Sequence, residues 1–112
     1  MGVRDGGGRP VARVEVVPGR PTAVAVHGEI DAASADLLDA AVTELRRRGC
    51  TEVVVDLAHV TFMDLSGLRV LHLAAVDGMS VVVRNPPRIV RRVIDLAGMA
   101  DLLPIEPPGE VG

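Results

Sequence analysis

The chain has 112 residues, 48% of them apolar, yet Phe62 is its one aromatic residue. One domain with a core of Val, Leu, Ala and Ile is expected, and a deep aromatic-lined ligand pocket is not. A formal charge of −3, with no aromatics interleaved among 12 basic residues that are all arginine, argues against nucleic-acid binding.

Residues 1–10 are Gly-rich and are expected to form a flexible arm. They lack the apolar segment of a signal peptide, and the myristoylation pattern that Gly2 would start requires Ser or Thr where Gly6 stands. Val11–Val17 reads as a first strand, stopped by Pro18-Gly19, and Thr22–His27 as its hairpin partner. A helix is expected from Ala33 to Arg48, with Leu37, Leu38, Ala41, Val42 and Leu45 on one buried face. Arg46, Arg47 and Arg48 suit its C-terminal dipole and Gly49 ends it. Cys50 stands alone at the following junction, where a small half-buried residue is expected; no internal disulfide or metal cluster follows from it.

Glu52–Leu57 is a Val-rich run of the kind found in strands covered on both faces. A loop over Ala58–Met63 leads to an apolar helix from Asp64 to about Asp77. Met79–Arg84 supplies another strand, and Arg88–Leu96 a third helix with Ile89, Val90, Val93 and Leu96 inward. Leu102–Ile105 can add a short edge strand, and 107–112 reads as a disordered tail. The order ββαβαβα(β) predicts a single α/β domain over 11–106. Its mostly parallel sheet would have four to five strands, an N-terminal hairpin and three to four helices. No run reaches membrane-span length, so no membrane insertion and a cytoplasmic location are expected.

Enzymatic constellations are scarce. His27, His59 and His72 show no zinc-binding spacing. His59 precedes Ser66 without a G-x-S-x-G elbow, so a solvated loop histidine is the simpler reading. With no lysine, a Walker-type phosphate grip is absent, and neither metal nor cofactor is implied. Ser66 is different. It falls in the first turn of a helix, beside Asp64, where a hydroxyl either caps the helix or receives a phosphate. In a parallel sheet the loops after strand C-termini share one edge, which brings Asp31 and Asp64 towards Ser66. Each aspartate also suits the N-cap of its own helix. The second helix is apolar nearly all round, so a strip including Met63, Leu65 and either Val70 or Leu73 is expected to face outward.

Three segments, GEIDAASA (Gly28–Ala35), VVVDLAHVTFMDLSGLRVL (Val53–Leu71) and IDLAGMADLLPI (Ile94–Ile105), resemble the signature segments of STAS domains. The resemblance is closest to the bacterial anti-sigma factor antagonists and runs from about Val11 to Ile105. It implies that Ser66 is the regulatory phosphoacceptor and that Asp31 and Asp64 are the family's acidic positions. With Met63, Leu65 and Gly67 they form the expected partner surface. Leu65 departs from the pattern, since many antagonists carry Ser or Thr there. The implied partners are an anti-sigma factor serine kinase and a serine phosphatase acting on the phosphorylated form, with the protein a substrate and not an enzyme. An alternative keeps the fold: a stand-alone STAS subunit of a membrane transport or lipid-trafficking complex. A small nucleotide-binding hydrolase fits the αβ order but lacks a phosphate loop, a base and a metal site.

Overall fold

The computed structural model describes residues 12–107. It places β1 (Arg13–Val17), β2 (Thr22–Ile30), α1 (Ala35–Arg47), β3 (Glu52–Met63), α2 (Leu65–Val76), β4 (Ser80–Arg84) and α3 (Arg88–Leu96) in that order. The expected arm at 1–10 and all but the first residue of the expected tail lie outside the described residues.

The four strands form one sheet in the spatial order β1-β2-β3-β4. β1 pairs antiparallel with β2 across the Pro18-Gly19 turn, while β2–β3 and β3–β4 are parallel. Parallel neighbours need a crossover, which α1 and α2 provide. Val24, Val26, Ile30, Val53, Val55, Leu57, Val81 and Val83 point into one core with Leu38, Val42 and Leu45 of α1, Leu68 and Leu71 of α2, and Val90 and Ile94 of α3. Gly49, with φ of 86°, ends α1 in a left-handed conformation that a Cβ would strain.

Several boundaries differ from the sequence reading. Segment Ala58–Met63, expected as a loop, continues β3, and β2 runs on to Ile30. Register shifts between Ala25 and His27, and between Gly28 and Glu29, keep the two strands paired until Ile30 meets Met63. Bulges of this kind leave no trace in hydrophobic periodicity. Nor is β3 covered on both faces along its whole length: Val53, Val54 and Val55 are all buried, but beyond Leu57 the residues Ala58, His59, Thr61 and Phe62 are exposed. Val54 is buried but lies outside the core cluster, on the sheet face opposite the helices. There it neighbours Ala23, whose register partner it is, and Val82.

In α3 the inward stripe is Val90 and Ile94, with Val93 half-buried, whereas Ile89 is 58% and Leu96 80% exposed. The i, i+4 pair at 90 and 94 sets which side faces the sheet, turning Ile89 and Leu96 outward. Leu37 is likewise exposed on α1. Leu102–Ile105 adds only a single parallel bridge from Ile105 to Val83, with Leu103 beneath it in the core. Cys50 is half-buried, its Sγ 3.2 Å from the Glu52 carbonyl oxygen.

Candidate functional site

The ends of β2 and β3 lie side by side, because Ile30 and Met63 are register partners. Asp31 and Asp64 therefore leave the sheet from adjacent positions on one edge. The Asp64 amide donates to the Ile30 carbonyl at 3.1 Å, tying the start of α2 to the end of β2. Asp64 has extended backbone (φ −95°, ψ −171°) and its Oδ1 accepts the Ser66 amide at 2.8 Å. That is the N-cap geometry in which a short acidic side chain satisfies a first-turn N–H and complements the helix dipole.

Asp64, not Ser66, thus caps α2. No hydrogen bond among the described residues engages Ser66 Oγ, and none of their unpaired side-chain oxygens is buried, so this hydroxyl reaches solvent. Ser66 itself is half-buried, in the second helical residue, where backbone N–H groups lack helical acceptors.

Asp31 does local work as well. Its Oδ1 accepts the amides of Ala33 and Ser34, each at 3.0 Å, and its carbonyl accepts the amide of Ala35, the first residue of α1, at 2.8 Å. The Ser34 hydroxyl sits 3.0 Å from Asp31 Oδ1 and receives the Asp31 amide at 3.0 Å. The Ser34 amide first, then its hydroxyl, hold the Asp31 carboxyl below its ordinary value of 3.8. Even so, Asp31 is exposed.

The sequence family described as "Mlab, STAS domain" matches residues 15–104, which includes both aspartates and Ser66. The chain belongs to the STAS domain family. It is 35% identical over 89 residues to an anti-sigma F factor antagonist of Paenibacillus polymyxa, covering 73% of this chain and 74% of the relative. Among solved structures, an anti-sigma factor antagonist from Mycobacterium paratuberculosis is similar at a TM-score of 0.75 and 28% identity, over 88% of this chain and 87% of that one. The anti-sigma factor antagonist SpoIIAA in its unphosphorylated form shares the fold at a TM-score of 0.65 and 22% identity, over 86% and 88% of the two chains. Bacillus SpoIIAA in its phosphorylated form does so at 0.62 and 20%, over 86% and 91%.

In this STAS domain the expected partner surface divides in two. Leu65 is 55% and Leu73 51% exposed beside Ser66, as the all-round apolar character of α2 suggests, with Val70 half-buried. Met63, expected to face outward, is instead 3% exposed. Gly67 is buried too, and a Cβ there would lie 2.9 Å from Ile30 Cγ2 and 2.9 Å from Met63 Cγ. Both residues are the seat on which the Ser66 turn rests, and in this structure neither presents surface to a partner. Met63 faces inward because β3 extends to it and the bulge between Val60 and Phe62 breaks the alternation, putting Met63 and not Phe62 on the core side with Val60.

His59 stands in β3, not a loop, and stacks on His27 with ring centroids 5.0 Å apart. That stack lies on the sheet face away from α2, which removes His59 as a base for Ser66. Two depressions flank the serine. A cavity of about 280 Å³ between α1 and α2 is lined by Ser66, Arg69, Val70 and Leu73 with Asp39, Thr43 and Arg46. A shallower groove of about 330 Å³ is lined by Leu65, Arg69, His72, Leu73 and Met99. Arg69 borders both, and sequence reasoning passed over it because a solvent-facing arginine in an apolar helix reads as ordinary. Among the described residues no helix is long and apolar enough to cross a membrane, and no group of three or more His, Cys, Asp or Glu could hold a metal ion.

Proposed function

We propose that this STAS domain is an anti-sigma factor antagonist that switches partners through Ser66. Unphosphorylated, it binds an anti-sigma factor that is also a serine kinase, and the sigma factor is released. The kinase then transfers the γ-phosphoryl group of ATP to Ser66. The Oγ–P bond forms, the P–O bond to the departing ADP breaks, and the hydroxyl proton goes to a base on the kinase. A serine phosphatase hydrolyses the ester and resets the protein. On this reading the chain is a cytoplasmic substrate, not an enzyme, and carries no cofactor of its own.

The observation that carries this reading is the setting of Ser66. Its hydroxyl is solvent-accessible and unclaimed by any hydrogen bond among the described residues, because Asp64 already caps the helix. Exposed Leu65 and Leu73 adjoin it as the apolar part of a contact surface. A phosphate adds about −1.5 to −2 charges at neutral pH. Placed among the carboxylates of Asp31 and Asp64 at an apolar interface, it needs to cost binding only about 3–4 kcal/mol to weaken the complex several-hundred-fold.

Incubation with the anti-sigma kinase and ATP, followed by peptide mass spectrometry, tests the assignment, and phosphate is expected on Ser66. Phosphate on exposed Thr61 or Ser80 instead would overturn it. A pull-down that recovers a membrane-transport component and no kinase would favour the alternative, an STAS subunit of a transport complex.

A further inference from the structure

We propose that Arg69 holds the phosphate once Ser66 is phosphorylated, closing its guanidinium over the ester in the cavity between α1 and α2. The inference rests on the reading of Ser66 as the modified residue and adds the group that receives the charge. Ser66 and Arg69 are three apart in α2, so their side chains leave the same face with Cβ atoms about 5–6 Å apart. Both line the same cavity of about 280 Å³, which has room for a phosphoryl group that the bare hydroxyl leaves unfilled.

The other cation of that cavity, Arg46 of α1, is already engaged, with Nη1 3.2 Å from Asp77 Oδ2. Arg69 makes no ion pair among the described residues. Of the carboxylates there, Asp77 is bound to Arg46, and Asp39 accepts from Thr43 at 3.4 Å. Asp64 is occupied by the Ser66 amide. A dianion entering this space meets one uncommitted fork of donors, and arginine–phosphate pairs are commonly bidentate.

Position gives the clasp a consequence. Arg69 also borders the groove of Leu65, His72 and Met99. Drawn to the phosphate, its guanidinium is withdrawn from that groove, so modification changes the partner surface on both sides of α2.

The test uses the full chain with phosphoserine placed at position 66 during translation, so no kinase is needed. The ³¹P shift is followed against pH, with folding of each variant checked by circular dichroism. The second phosphate pKa of a free phosphoserine is about 6. In the wild-type background it is expected below this value, and Arg69→Gln should raise it by about half a unit or more, a roughly threefold change in proton affinity. Arg69→Lys should restore part of the depression, and Arg46→Gln should change it less than Arg69→Gln does. Equal values for wild type and Arg69→Gln, or a larger effect from Arg46→Gln, would overturn the proposal. A kinase that fails to modify Ser66 would sink the switch reading and leave this titration unaltered, so the two failures are separable.

Discussion

Replacing Gly67 by alanine probes the seat of the Ser66 turn. The added methyl would sit 2.9 Å from Ile30 Cγ2, 2.9 Å from Met63 Cγ and 3.3 Å from Met63 Cε. Carbon–carbon contacts are optimal at about 3.5–4.0 Å. Neither neighbour yields easily: Ile30 is fully buried, Met63 is 3% exposed, and both end strands paired in register. Forcing one carbon into a filled core costs about 1–3 kcal/mol. Against this, alanine gains up to about 1 kcal/mol over glycine as a helix former. The net expectation is a loss of about 1–2 kcal/mol, or a fall in Tm of roughly 5–15 °C for a domain of this size. Thermal unfolding by circular dichroism, checked by urea titration, measures it. A Gly67→Ala protein as stable as wild type would refute the reasoning, since α2 would then lift off the sheet at no cost.

Because Asp64 and not Ser66 caps α2, Asp64→Ala should lose about 0.5–2 kcal/mol, whereas Ser66→Ala should stay within about 0.5 kcal/mol of wild type in urea unfolding. Ser66→Ala should also bind the anti-sigma kinase constitutively, and equal destabilisation by both variants would contradict the hydrogen-bond assignment. Leu65→Asp should leave stability nearly unchanged but weaken partner binding tenfold or more by titration calorimetry, since burying a leucine contributes about 1.5–3 kcal/mol. Unfolding of that variant would show Leu65 to be core. Asp31→Ala should lose partner binding tenfold or more with only a modest fall in Tm; early melting with normal binding would reduce Asp31 to a cap. Acid should loosen α1 at both ends. Asp31 is depressed below 3.8, and Glu44 is held at about 2 by Arg47 first and Arg48 second, against an ordinary 4.5. For depressed carboxylates the stabilisation is present above the unfolded value and lost as pH falls through the folded one. The loss should fall between about pH 4.5 and 2, and Glu44→Gln should flatten it; an unchanged acid profile in that variant would show the arginine pairs to be without effect.

Local chemistry was legible along the chain. Pro18-Gly19 made the hairpin turn, Gly49 ended α1, and Asp64 before an apolar run marked the start of α2, because turns and caps are decided by residues within a few positions of one another. The alternation of strands and helices fixed the α/β class and, with it, the shared edge that joins Asp31, Asp64 and Ser66. The three signature segments pointed to the STAS family, to which the chain belongs. Pairing between strands decided the rest. Ala58–Met63 is strand and not loop because bulges within β3 itself keep it in register with β2, which buries Met63 and places Gly67 against it. Which face of α3 is wet, and whether β3 is covered on one side or both, depend on where neighbouring elements land. The part proposed for Arg69 depends on α1 lying across from it, with Arg46 already bound to Asp77. Such contacts join residues far apart in sequence, and no local pattern in the chain encodes them.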